Sequence, residues 1–139
     1  MRQGLGSGRS ETGISKGEAM DRTDFERWVK GYEKAWASND RDDISALFTE
    51  DATYRFRPED EPLRGRDAIA DTWIQNKDEP GDYTWRFKDV LGVEGDVGFV
   101  YGETDYHTDP PRTYSNLWVI RLTDDGRASD FTEWFMKHR

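Results

Sequence analysis

Apolar side chains recur at helical spacing early in the chain and at alternate positions in its second half. The spacing between residues 24 and 38 predicts a first helix, and Thr23 and Glu26 form a capping-box sequence at its start. The apolar face of this helix comprises Phe25, Trp28, Val29, Tyr32 and Trp36.

Further helices and strands follow from the same two periodicities. They are a short helix with Ile44, Leu47 and Phe48 on one face, a strand at 51–56, a helix at 66–75, and strands at 83–88, 97–107, 113–122 and 129–137. Asp125-Gly126 is a strong hairpin signal between the last two strands. The predicted order, ααβαββββ, is that of an α+β domain.

Composition narrows the function classes. The chain has 139 residues and a net charge of -9, and no basic stripe interrupts its acidic sequence, so nucleic-acid binding is not expected. It has no cysteine and only two histidines, far apart, so neither a metal site nor any other cofactor is expected. No apolar run is long enough for a membrane helix, and we expect a cytoplasmic protein with no membrane partner.

The first residues differ in composition from the rest. Residues 1–20 are rich in Gly and Ser and poor in large apolar groups, so we expect a disordered tail followed by one domain over residues 21–139. Lys16-Gly17-Glu18 can be encoded by a purine-rich ribosome-binding sequence. Met20 is therefore a candidate for the true translation start, and peptides from residues 2–19 in the native protein would exclude it.

Short motifs in a fixed order carry a family resemblance. They lie at residues 47–54, 63–69, 114–121, 125–127 and 131–136, the last with Phe131-Thr132-Glu133-Trp134. Over residues 24–137 the chain resembles SnoaL-like proteins of the nuclear transport factor 2-like superfamily. The resemblance implies a cone-shaped, curved antiparallel sheet packed on three N-terminal helices (a cystatin-like α+β barrel) around a pocket.

One family activity can be tested residue by residue. Ketosteroid isomerases use a carboxylate base together with a tyrosine and a protonated aspartic acid as oxyanion donors. Tyr32 matches the tyrosine, but Phe56 and Trp118 occupy the two acidic positions. We therefore do not expect ketosteroid isomerase activity.

The resemblance also indicates which strand faces line the pocket. The inward sets are Tyr101, Glu103 and Asp105; Tyr114, Asn116 and Trp118; and Phe131, Glu133 and Phe135. Glu133 and Glu103 are then catalytic candidates, because carboxyls sharing an aromatic cavity have raised or split pKa values. The substrate-binding candidates are Tyr32, Trp36, Tyr54, Trp73, Tyr101, Asn116 and Trp118.

Plainer interpretations exist for the same residues. Glu133 can pair with Arg55 or Arg86 and stabilise the sheet, and the aromatic residues can be ordinary core. The two main hypotheses are a cofactor-independent isomerase, cyclase or hydrolase/lyase acting on a small, largely apolar molecule, and a non-catalytic ligand-binding or dimerisation module. A transport adaptor is the weakest hypothesis for so acidic a chain.

The opposite face of the sheet is too apolar for a solvated surface. We assign to it Val100, Tyr106, Leu117, Val119, Trp134 and Met136. Because apolar patches of this kind mark interfaces, we expect a homodimer through this face.

Overall fold

The computed structural model describes residues 19–139. The tail expected at residues 1–20 lies outside this range except for its last two residues. Of these, Met20 is buried, and its N–H donates to the carbonyl of Gly95 at 3.0 Å. Met20 therefore packs with the core.

Three helices and six strands make up the described part of the chain. They are α1 (Arg22–Ser38), α2 (Arg41–Ser45), β1 (Phe48–Arg55), β2 (Leu63–Arg64), α3 (Arg66–Gln75), β3 (Tyr83–Glu94), β4 (Val97–Tyr106), β5 (Arg112–Leu122) and β6 (Ala128–Lys137). The strands form one sheet in the order β2-β1-β6-β5-β4-β3. The helices pack on this curved, unclosed sheet, which confirms the predicted α+β cone.

Strand pairing explains how the sheet curves without closing. All pairs are antiparallel except β1 with β6, which are parallel. The β3–β4 register shifts twice, between Phe87 and Asp89 and between Val90 and Gly92. Irregularities of this kind bend a strand and increase its twist, so they curl the sheet around the helices.

The start of α1 differs from the prediction. Asp21 is the N-cap, and its carboxylate accepts from the Asp24 N–H at 3.1 Å while the Asp24 carboxylate accepts from the Asp21 N–H at 2.9 Å. The predicted cap, Thr23, lies inside the first turn. The aspartate pair forms the same type of capping box two residues earlier, at the N–H groups of Asp21 and Asp24.

Two strand boundaries were also missed. β1 begins at Phe48, which we had placed on a helix, and β3 continues to Glu94 beyond the predicted end at residue 88. The two-residue strand β2 has too few positions to show any periodicity. These differences change element lengths but not the architecture.

The predicted strand faces are correct for β5 and β6 and wrong for β4. Asn116 pairs with both Gly102 and Phe135, whereas Glu103 pairs with Ser115 on the convex face. The concave face of β4 is made by Val100, Gly102, Thr104 and Tyr106. Tyr101, Glu103 and Asp105 therefore face outward, contrary to the prediction.

Glycines caused this error of one residue. At Gly102 a Cβ atom would lie 2.1 Å from the Trp85 ring, and at Gly98 it would lie 2.4 Å from the Phe25 ring. Because glycine has no side chain, the Phe25 ring packs directly on the strand at Gly98 and the Trp85 ring does so at Gly102. The inward face of β4 consequently has the weaker apolar pattern in the sequence.

We predict that Gly102→Ala destabilises the fold by about 1–3 kcal/mol, because the added methyl displaces the Trp85 ring from a packed layer. Urea denaturation measures this loss. Gly92→Ala is the matched control, since a Cβ there meets nothing within 4 Å. Equal changes in the two variants would contradict the packing role of Gly102.

Candidate active site

A cavity of about 270 Å³ lies between the concave face of the sheet and helices α1 and α3. Its polar wall groups include Glu133, Asn116 and Thr104. Its aromatic wall consists of Tyr32, Trp36, Tyr54, Phe56, Trp73, Tyr106 and Trp118. Polar groups that converge within an aromatic enclosure are typical of small-molecule sites.

The structure brings together most of the residues selected from the sequence. Those that line the cavity are Tyr32, Trp36, Tyr54, Trp73, Asn116, Trp118 and Glu133. Tyr101 and Glu103 do not reach it, because they lie on the convex face of β4.

Glu133 is the acidic group on the cavity's sheet wall. It lies opposite Trp118 on β5, and its residual exposure is toward the cavity. Burial raises the pKa of Glu133 to about 7, although hydrogen bonding from Asn116 and the nearby Trp118 indole act to lower it. This carboxyl therefore changes its protonation state near neutral pH.

The ion pairs considered for Glu133 do not form. Arg55 pairs with Asp130 at 3.5 Å. Arg86 extends over the convex face, where it pairs with Glu103 at 2.9 Å. No cation forms an ion pair with Glu133 in residues 19–139, so hydrogen bonding offsets only part of the desolvation of its charged form.

Asn116 joins Glu133 to the neighbouring strand. Its amide N–H donates to the Glu133 carboxylate, and its carbonyl accepts from the Thr104 hydroxyl at 2.8 Å. Asn116 and Thr104 are both buried. The Thr104 bond fixes the amide orientation, so the N–H₂ side faces Glu133.

Trp118 places an unused donor in the same region. It is 2% exposed, and its indole nitrogen makes no hydrogen bond of normal geometry with the described residues. Its proximity nevertheless lowers the pKa of Glu133. A buried donor without a full partner costs about 1–3 kcal/mol, and the nearby Glu133 carboxyl relieves part of that cost.

Two tyrosines on the opposite wall share one hydrogen bond. The hydroxyls of Tyr32 and Tyr54 are 3.0 Å apart. Burial raises the pKa of each far above the usual tyrosine range, so both remain protonated. One of the two hydroxyl protons forms this hydrogen bond, which leaves the other proton for an acceptor in the cavity.

Glu103 has the opposite electrostatic environment. Arg86 donates to it at 2.9 Å and Lys88 lies 3.8 Å away. The Arg86 hydrogen bond lowers the pKa of Glu103. This carboxylate stays ionised near neutral pH and belongs to a convex-face ion network, not to the cavity.

Other cavity residues had not been identified from the sequence. Thr104 and Tyr106 were missed because the β4 face was misassigned. Asn76, Lys77 and Asp78 follow α3, and Asp78 accepts from the Trp36 indole at 3.1 Å. Their position in the cavity wall depends on tertiary contacts. The predicted end of α3 at residue 75 indicates only that a loop begins there.

Residues 19–139 contain neither a metal-binding cluster nor a membrane-spanning helix. No group of three or more metal-ligating side chains is found there. No helix in that range is long and apolar enough to span a membrane.

The fold and cavity define an α+β cone with an internal ligand-sized site. The SnoaL-like domain model matches residues 20–131, and the chain belongs to the SnoaL-like domain family. A search of curated protein sequences gives no significant match.

Solved structures agree on the fold. A Kribbella flavida DSM 17836 protein provisionally described as a ketosteroid isomerase has a TM-score of 0.66 and 18% identity, covering 86% of this chain and 82% of its own. A nuclear transport factor 2-like protein of unknown function from Burkholderia xenovorans LB400 gives 0.64 and 16%, over 81% and 83%. An M. tuberculosis LEH-like epoxide hydrolase gives 0.62 and 19%, over 83% and 84%.

We predict that Glu133→Gln stabilises the protein at alkaline pH. A carboxyl whose folded pKa of about 7 exceeds its unfolded value of 4.5 stabilises the fold below pH 4.5 and loses that contribution as the pH rises through 7. The free energy of unfolding of the variant minus that of the wild type should therefore be up to roughly 3 kcal/mol larger at pH 8.5 than at acid pH.

Urea denaturation between pH 5 and 8.5 measures this difference. Glu103→Gln is the control and should not show the gain, because the pKa of Glu103 is lowered by Arg86. A Glu133→Gln difference that does not vary with pH would show that Glu133 titrates normally.

Proposed function

We propose that the protein is a cofactor-independent acid–base enzyme acting on a small, largely apolar molecule. The observation that carries the proposal is the Glu133 carboxyl, which faces an aromatic cavity with its pKa raised to about 7. Reactions in which such a proton-transfer group can serve include isomerisation, cyclisation, hydration and epoxide opening.

A pKa near the working pH suits a group that must both accept and donate a proton. At pH 7 Glu133 is divided between its two forms, so each is available without a large energetic penalty. The Asn116 amide holds the carboxylate in one orientation, and the Thr104 hydroxyl holds the amide. Proton transfer would then require little rearrangement of the protein.

A tyrosine donor on the cavity wall supports polarisation of a substrate oxygen. The Tyr32–Tyr54 pair has one hydroxyl proton beyond the one in their mutual hydrogen bond. Such preorganised donors stabilise charge that develops on oxygen during proton transfer. They also distinguish a polarised substrate from a pure hydrocarbon.

The arrangement differs from that of a ketosteroid isomerase. Phe56 lines the cavity where a base would be required, and Trp118 replaces the acidic oxyanion donor. In the proposed enzyme the proton-transfer group instead lies on β6, at Glu133. The resemblance to structures named for isomerase and epoxide hydrolase activity concerns the fold alone.

A non-catalytic ligand-binding module is the second candidate. The observation that favours it is the absence of a second free carboxyl on the cavity wall within residues 19–139. Asp78 is the other acidic wall residue, and it accepts from Trp36. Reactions that need separate acid and base groups are therefore less suited to this site.

We predict that Glu133→Gln slows turnover by about 10²- to 10⁴-fold, because the proton-transfer group is lost. A panel of small aryl ketones, unsaturated esters and epoxides, with native mass spectrometry of co-purified molecules, identifies a substrate. The rate at which the wild type converts this substrate should depend on pH with a midpoint near pH 7, where Glu133 ionises.

Glu103→Gln is the matched control on the convex face and should retain turnover. Normal turnover by Glu133→Gln would reject the catalytic role of Glu133. Specific binding without turnover of any panel member or co-purified molecule would favour the binding module.

The convex face supports a second proposal, a homodimer. Two residues assigned to this face from the sequence, Val100 and Tyr106, lie on the concave side instead. A contiguous apolar surface remains, because Trp134 pairs with Leu117 across the strands and is 50% exposed, while Met136 is 72% exposed. Its neighbours on the same face are Phe99, Tyr101 and Val119.

We predict that Trp134→Glu converts a dimer to a monomer, because it places a charge within the apolar convex surface. Light scattering coupled to size exclusion should give twice the 16.2 kDa chain mass for the wild type. Gln75→Glu adds the same charge on α3 and should leave the mass unchanged. A monomeric wild type would reject the proposal.

A further inference from the structure

Arg112 lies at the open end of the concave face. It pairs with Tyr106 as the last cross-strand pair of β4 and β5, on the face that also carries Asn116. Its guanidinium carbon is 5.1 Å from the centre of the Tyr106 ring, and Tyr106 lines the cavity. The same guanidinium is 5.8 Å from the Tyr114 ring and donates to the Tyr114 hydroxyl at 3.1 Å.

This arginine has no carboxylate partner in the part of the chain that the structure describes. Arg86 and Arg121 differ from it in this respect, since both are ion-paired. Aromatic rings hold the Arg112 guanidinium in place, yet among the described residues its side chain donates only to the Tyr114 hydroxyl. A guanidinium has five donors in a rigid planar fork, so most of them are available to a ligand.

Two more cations lie at the same end of the cone. Lys137 pairs with Tyr114 across β5 and β6, on the concave side. Arg57 lies 5.4 Å from the centre of the Phe135 ring. Neither forms an ion pair within residues 19–139. Two charged residues of the cavity wall already have partners, Lys77 with Glu79 at 3.4 Å and Asp78 with the Trp36 indole.

We propose that Arg112 binds a carboxylate group at the mouth of the cavity, so that the ligand is a small amphipathic acid with its apolar body against the aromatic wall. The proposal rests on the proposed use of the cavity as a ligand site and defines the ligand class. A planar guanidinium matches a carboxylate in a bidentate geometry, and Lys137 and Arg57 add positive potential.

The position of Arg112 also sets the length of the ligand. Asn116 is four positions further along β5, which corresponds to about 13 Å of strand. A ligand whose carboxylate contacts Arg112 can therefore extend its apolar end several carbon atoms toward Asn116 and Glu133. In this orientation the anionic group lies away from the Glu133 carboxyl, which avoids repulsion between the two.

A matched ligand series tests the proposal. The probes are ω-phenylalkanoates with chains of two to six carbons and their neutral primary amides, titrated at pH 6. Indole N–H signals of Trp36, Trp73 and Trp118 in ¹H–¹⁵N spectra report binding inside the cavity. We expect the best acid to bind ~3- to 10-fold more tightly than its amide, as for a partly exposed charged contact.

Arg112→Gln should abolish this preference for the acid and leave amide affinity within about twofold, since the apolar contacts are unchanged. Arg112→Lys should retain part of the preference. Arg121→Gln, at the other end of β5, removes the same charge and should retain all of it. The dispersion of the indole signals shows in each spectrum that the variant is folded.

Three results would overturn the proposal. Equal affinity for acids and amides in the wild type would show that no anion subsite exists, while the amide shifts would still support the cavity as a ligand site. An equal loss in Arg121→Gln would assign the preference to net charge. If no probe shifts the cavity indoles, both the subsite and the proposed ligand site fail.

Discussion

The packing of Trp118 holds the sheet, the helices and the cavity in one arrangement. Its ring stacks on Trp85 with centroids 4.6 Å apart and planes within 1°, and it contacts Tyr32 on α1 at 4.4 Å. The Trp85 ring lies on β4 only because residue 102 is glycine. Since Trp118 pairs with Glu133 across the strands, the same packing that builds the core also sets the position of the carboxyl.

That position carries an energetic cost that a purely structural residue would avoid. Burial without a cation raises the pKa of Glu133 to about 7, so at neutral pH the fold contains a partly ionised carboxyl among aromatic rings. The Asn116–Thr104 connection reduces this cost but does not remove it. Groups that titrate near neutral pH at the expense of stability are enriched at functional sites.

Most of the architecture could be predicted from the sequence because helical and strand periodicities are local. The faces of β5 and β6 followed from the family resemblance combined with strand alternation, with Asn116 and Glu133 as polar exceptions in aromatic surroundings. The face of β4 could not be assigned in the same manner, because Gly98 and Gly102 contribute no side chain to the inward pattern. Their role depends on the rings of Phe25 and Trp85, which come from distant segments.

The candidate site was predictable to a similar extent. Helical spacing identified Tyr32 and Trp36, whereas the electrostatic difference between Glu133 and Glu103 appeared only with the strand register. A shift of one residue in strand register decides which face a carboxyl lies on. Glu133 faces the cavity and is desolvated, whereas Glu103 faces outward and pairs with Arg86. The mouth of the cavity depended on loop conformation after α3, which no local pattern specifies.

Titration of Glu133 by ¹³C NMR of its side-chain carboxyl, assigned by the loss of its signal in Glu133→Gln, decides whether this group can serve in proton transfer. We expect a midpoint near pH 7, because burial raises the pKa of this group. A midpoint near 4.5, the ordinary glutamate value, would contradict the proposed role, because the carboxyl would then be solvated and fully ionised at neutral pH.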